Sequence, residues 1–169
     1  ESLAQEIEDD ARLSNVLNLL SSLHWVRGQN RKAIERVEEA LNLAKRAGHF
    51  SYQIATMLHL GVYFFNIGDY SSQIEIHQEV RKRLIGESAF KQHGLASVPG
   101  AFSRSMLVLS MAELGNFDKI EEIGHEALEI ALCLGLQPGI LERRPGMGQD
   151  AFVVDILCQA VEPRFSAGP

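Results

Sequence analysis

Leu60-Gly61-Val62-Tyr63-Phe64-Phe65-Asn66-Ile67-Gly68-Asp69-Tyr70-Ser71-Ser72-Gln73-Ile74 is the stretch on which the fold turns. It holds an apolar run, a glycine, an aspartate and the start of a second amphipathic run. A helix ends at low cost when the next residue turns left-handed, which glycine does without a Cβ clash. An aspartate just beyond can accept a backbone N–H and cap the next helix. Gly68-Asp69 therefore predicts a tight turn between two antiparallel helices.

The same punctuation stands at Gly28-Gln29-Asn30, 40 residues earlier, and at Gly115-Asn116, 47 residues later. Upstream of each glycine, apolar residues recur with helical spacing. They are Val16, Leu17, Leu20, Leu23 and His24 in the first unit, Met57, Leu60, Gly61 and Phe64 in the second, and Leu107, Val108 and Met111 in the third. Downstream, Ala33, Ile34, Val37, Ala40, Leu41 and Ala44 form one such face, and Ile120, Ile123, Ala127, Leu128 and Ala131 another. Helices of about 15 to 18 residues, roughly 25 Å long, are expected. One hairpin cannot hide both of its apolar faces, whereas stacked hairpins can.

This pattern resembles the tetratricopeptide repeat (TPR), in which Leu-Gly and an aromatic precede a Gly-Asp-Tyr turn and an Ala-rich second helix. Leu60-Gly61, Phe64 and Gly68-Asp69-Tyr70 carry the resemblance best. The first unit keeps Leu20, Gly28, Ala33 and Ala40-Leu41, with Ser21 at the small glycine and His24 at the aromatic. The third keeps Leu107, Gly115-Asn116-Phe117 and Ala127-Leu128, and departs at Val108 and Ile120. Because the usual period is about 34 residues, extended connections between hairpins are expected, the longest from about Gly86 to Pro99. His93-Gly94-Leu95, Pro99 and Ala112-Glu113-Leu114-Gly115 make residues 11 to 135 similar to the helical-repeat regions of bacterial class III adenylate/guanylate cyclase–ATPase proteins.

The resemblance implies an all-α fold, a right-handed α-α superhelix of about three antiparallel hairpins. Its units are placed at about 11–48, 51–86 and 97–135, within a repeat domain over 1–136. From 137 the pattern changes. Two Pro-Gly pairs, Pro138-Gly139 and Pro145-Gly146, break any long helix. Phe152, Val153, Ile156, Leu157 and Ala160 then predict a short amphipathic helix over about 150–161, in an otherwise irregular tail over 137–169. That helix either caps the open end of the stack or belongs to a truncated end that packs loosely, and the sequence leaves both open.

Composition narrows the function. With 46% hydrophobic residues, 22% charged residues and a formal net charge of -6, the chain lacks the basic face that phosphate contacts require. Arg81-Lys82-Arg83 reads as the cationic end of a helix, complementing its dipole. Cys133 and Cys158 form neither a disulfide framework nor a metal spacing, and Cys133 reads as a small core residue. No run is long and apolar enough for a membrane span, and no secretory signal opens the chain. A cytoplasmic setting is expected. The chain opens Glu1-Ser2 rather than with Met, which reads as a boundary inside a longer protein.

No residue pattern points to catalysis. There is no nucleophile elbow, phosphate loop, dinucleotide fingerprint or zinc motif. Gly146-Met147-Gly148 lacks the strand and lysine a phosphate loop needs. The six histidines, His24, His49, His59, His77, His93 and His125, never pair at i+3 or i+4, so helical metal ligation is not indicated. Glu38-Glu39 and Glu121-Glu122 read as solvated charges, Glu121 near a helix N-terminus. The expectation is a chain with no catalytic residues, cofactor or metal.

In the register the resemblance implies, first helices line a concave groove. Its residues would be Asn15, Asn18, Ser22 and Trp25 in the first unit, Ala55, Leu58, Val62 and Phe65 in the second, and Phe102, Ser105, Leu109 and Glu113 in the third. The groove lacks the Lys/Arg set that clamps a C-terminal carboxylate, and suits an apolar peptide or helix. Trp25 and Phe65 are the candidate anchors; the alternative, in repeats of extended period, is that the groove positions simply contact the next helices. The expected function is a non-catalytic interaction or regulatory scaffold of a larger signalling protein. Its partner would be a protein or peptide, an adjoining catalytic domain included, with no nucleic acid and no membrane. A ligand-sensing domain of a transcriptional regulator and a free-standing oligomerisation module, acting as a homo-oligomer, stay open as alternatives.

Overall fold

In a computed structural model, residues 9–95 and 97–133 are described, and these form helices with no strand among them. They are α1 (Asp10–Val26), α2 (Asn30–Arg46), α3 (Phe50–Asn66), α4 (Tyr70–Arg83), a short 3₁₀ segment (Gly86–Phe90), α5 (Pro99–Glu113) and α6 (Ile120–Cys133). The 137–169 tail, with its expected helix at 150–161 and Cys158, lies outside the described residues. The chain divides into two compact units, one up to Val80 and one from Arg81, so the boundary falls inside α4.

In the first unit, α1, α2 and α3 are each 17 residues long and the links between successive helices are three residues each. Two such helices and two such links make up the 40-residue spacing from Gly28 to Gly68. The expected extension of the first inter-hairpin connection is therefore incorrect: Ala47-Gly48-His49 is as short as the turns within hairpins, and the added length sits in the helices. Only the segment from α4 to α5 is long, and it contains the 3₁₀ turn.

Each of these turns has one local cause. Gly68 adopts φ 77°, and the N–H of Asp69 donates to the Phe64 carbonyl at 2.9 Å. This is the bond pattern that closes a helix through a left-handed residue. Gly28, Gly48 and Gly115 repeat it, with Gln29 to His24, His49 to Ala44 and Asn116 to Met111. Asp69 then caps α4, accepting from the Ser72 N–H at 3.1 Å and from its hydroxyl at 2.7 Å. Gly115-Asn116 departs from the expected tight turn, since α6 starts only at Ile120.

Cross-helix bonds fix the directions. Ser14 Oγ donates to the Ala40 carbonyl at 2.7 Å, and Arg46 reaches Asp10 through two 3.0 Å bonds. Partners stand about equally far from Gly28 on the two helices, as in an antiparallel hairpin. Arg104 and Glu126 relate α5 and α6 in the same way about Gly115. Between α1 and α3 the partners are Asn18 with His59 and Ser21 with Tyr63, offset by 41 and 42 residues. A nearly constant offset means that these two helices run parallel.

The core follows the expected faces on most helices. Ala33, Val37, Ala40, Leu41 and Ala44 of α2 are buried, as are Met57 and Leu60 of α3, Leu107, Val108 and Met111 of α5, and Ile123, Ala127 and Ala131 of α6. On α1 the expectation holds in part: Leu17 is buried with Ala40 and Leu43, and Leu20 packs against them. The buried face is Ser14, Leu17, Asn18 and Ser21, while Leu23 is 54% exposed. The interior side is small and polar because each of those polar groups meets a partner, and a buried polar group that is hydrogen-bonded carries little penalty. Cys133 is exposed at the end of α6 rather than in the core.

Two glycines mark close approaches. At Gly100, a Cβ would fall 2.1 Å from the Ala89 carbonyl oxygen, so α5 lies directly on the 3₁₀ segment. At Gly61 a Cβ would fall 2.2 Å from Nε2 of the buried His77, which lets α4 seat its imidazole against the α3 backbone. Alanine would add about 1 kcal/mol of helix propensity, yet overpacking a filled site costs about 1–3 kcal/mol. Gly61→Ala is expected to be destabilising by urea denaturation, and the same change in a His77→Ala background to be neutral or stabilising.

Candidate interaction surface

The polar side of α1 and the facing side of α3 build one cluster. Neutral His59 donates Nδ1–H to the Asn18 side-chain carbonyl at 2.8 Å. The Tyr63 hydroxyl lies 3.0 Å from Ser21 Oγ and 3.3 Å from Ser22 Oγ. Rings extend the cluster: Trp25 and His59 each have their centroid 6.1 Å from that of Tyr63. Burial holds the His59 imidazole below the ordinary histidine value, which favours the neutral donor seen here.

The sequence-predicted residues divide by position. Asn18, Ser22 and Trp25 are brought together with Tyr63. Asn15, Ser22 and Trp25 of α1 and Val62 and Phe65 of α3 are half-buried. Phe65 also meets Tyr70 edge-on, with ring centroids 5.4 Å apart. Asn18, Ala55 and Leu58 are buried between helices and present little surface. In the second unit Phe102 and Ser105 are buried, Leu109 is half-buried and Glu113 is exposed.

Sequence reading missed His59, Tyr63 and the role of Ser21. The available signal was Ser14, Asn18 and Ser21 at i, i+4 and i+7. A stripe of small polar groups on an otherwise apolar helix marks a side that must find hydrogen-bond partners if buried.

A second polar cluster holds the unit from Arg81. Glu126 of α6 accepts from Arg104 Nε at 2.7 Å and from Arg81 Nε at 3.0 Å, with a further close contact to Arg81 Nη2. Arg104 is only 6% exposed and also donates to the Gly100 carbonyl at 3.0 Å. The hydrogen bond from Arg81 is the main cause that holds the Glu126 carboxyl below its ordinary value, and the same bond raises Arg81. The cluster ties the last turn of α4 to α5 and α6, so Arg81 does more than complement a helix dipole.

Among the described residues no three His, Cys, Asp or Glu side chains gather into a group that could hold a metal, and no helix is long and apolar enough to cross a membrane. No protein-family model matches the chain, and no curated protein matches it.

Proposed function

We propose that this chain is a TPR-like interaction scaffold, built as a right-handed stack of hairpins, which binds a protein or peptide partner along the outer edges of α1 and α3. One observation carries the reading. Bonds between α1 and α3 join residues 41 or 42 apart, one or two residues from the 40-residue spacing of Gly28 and Gly68. These two first helices thus lie side by side in parallel, which makes a ribbed surface. On it stand the half-buried Trp25, Val62 and Phe65 between the polar Asn15 and Ser22. Half-buried aromatics flanked by hydrogen-bonding groups suit the apolar face of a helix or extended peptide. By the sequence resemblance, an adjoining cyclase or ATPase module is the kind of protein that would supply such a partner.

Trp25 is the chain's one tryptophan, so its fluorescence reports on this surface alone. Titration with amphipathic helical peptides is expected to shift Trp25 emission to the blue for those that bind. Trp25→Ala is expected to weaken their capture by about 30-fold, the equivalent of about 2 kcal/mol, with the fold retained by circular dichroism. Peptides that bind without changing Trp25 emission, or bind equally to the variant, would place the interaction elsewhere.

A further inference from the structure

We infer that the outer face of α1 is a second, separate docking surface, and that it takes a helical hairpin whose first helix lies parallel to α1 and presents apolar residues to it. Leu19, Leu23 and Val26 are 58%, 54% and 76% exposed, and stand at i, i+4 and i+7 on one side of the helix. Three aliphatic side chains in such a row mark a face that gains from being covered. What covers it follows from the register between α1 and α3.

The two helices end in the same bonded turn, Gln29 to His24 about Gly28 and Asp69 to Phe64 about Gly68. Position for position, Leu19 therefore corresponds to His59 and Leu23 to Tyr63. His59 and Tyr63 are the residues by which α3 receives α1, through Asn18, Ser21 and Ser22. The exposed row on α1 thus continues the α3-on-α1 interface by one further period. A hairpin seated there would stand to α1 as α1 stands to α3.

The chemistry of the occupant differs from that inner interface. At the inner interface, polar Asn18, Ser21 and Ser22 meet polar His59 and Tyr63. On the outer face the receiving residues are aliphatic, so a polar group on the incoming helix would be buried without a partner, at a penalty. The helix that fits has apolar residues where α1 has Asn18, Ser21 and Ser22.

The test duplicates residues 10–49 directly ahead of Asp10 in the full chain, in the phase in which they already precede Phe50, with Asn18→Leu, Ser21→Ala and Ser22→Ala in the added copy. The extended protein is expected to melt several degrees above the parent, and Leu23→Glu in the resident α1 to abolish that gain while leaving the parent's own melting little changed. A version with Leu23→Cys in the resident helix and Ser22→Cys in the added one, in a Cys133→Ser, Cys158→Ser background, is expected to be joined by a short bismaleimide cross-linker, since the equivalent Tyr63 spans this gap with its full side chain. That cross-link reads the parallel register even where the added hairpin is only marginally stable. No gain in melting temperature together with no cross-link overturns the proposal. So does a gain that survives Leu23→Glu, or a parent dimer in sedimentation equilibrium that Leu23→Glu dissociates, which would assign the face to a second copy of this chain.

Discussion

Replacing Glu126 by Gln is expected to lower stability by about 2–4 kcal/mol, through the guanidinium groups it leaves behind. Removing one member of a buried ion pair costs about 3–5 kcal/mol when the survivor stays out of water. Arg104, at 6% exposed, is in that position. Arg81 and Glu126 are each 31% exposed, so water recovers part of the loss and the lower figures apply. Glutamine keeps the shape of the side chain but turns N–H donors toward donors. Glu122 serves as the control, since it lies 3.6 Å from Arg81 with 67% of its side chain exposed. Glu122→Gln is expected to change stability by less than about 1 kcal/mol. Urea denaturation of both variants beside the parent decides the point, and equal midpoints would show that Glu126 is dispensable.

The second large effect is acid sensitivity centred on His77. Its ring is fully buried against Gly61, and that burial pushes its pKa down from 6.5 to about 3. The unfolded chain therefore binds a proton that the folded chain refuses between those two values. Stability is complete above about pH 6.5 and falls as pH drops toward 3, by about 1.4 kcal/mol per pH unit across most of the window. From pH 7 to pH 4 the loss from this group is about 3 kcal/mol. His59, lowered by burial as well, adds in the same direction. Glu126 works in a lower window: its carboxyl lies below the ordinary value of 4.5, so its contribution is present above that value and is lost as pH falls through the depressed one. Melting temperatures measured from pH 7 to pH 4 are expected to fall more steeply for the parent than for His77→Phe. The slope is the readout, because the substitution also alters packing. Parallel slopes would remove His77 from the account.

These two residues show how unevenly a sequence discloses a structure. The turn at Gly68-Asp69 was legible because glycine geometry and aspartate capping act within a few residues. The helices were legible for the same reason, and α2 buries the alanines, Val37 and Leu41 that its spacing singles out. The 40-residue period was visible too, although its excess over the shorter repeat lies in 17-residue helices rather than in the first connection between hairpins. At α1 the same reasoning found Leu17 and Leu20 but missed the polar half of the inner face. Val16 and Leu23 outweigh Ser14, Asn18 and Ser21 on hydrophobicity, yet the second set is the buried one. The groove residues divided likewise: Trp25 and Val62 stand at the surface, whereas Leu58 and Phe102 are packed inside.

By itself, then, the sequence determined an all-helical chain, the tight turns at Gly28 and Gly68 and the hairpin as its building unit. Those outcomes rest on bonds between residues at most a few positions apart. The tertiary structure decided which face of α1 turns inward, that His59 and Tyr63 receive it, and that Arg81, Arg104 and Glu126 meet. In each case a polar group tolerates burial only because a partner from a distant helix satisfies it, 41 residues away for Asn18 and His59 and 45 for Arg81 and Glu126. Hydrophobic periodicity ranks a residue by its own transfer from water. It contains nothing about that partner, and the partner reverses the ranking.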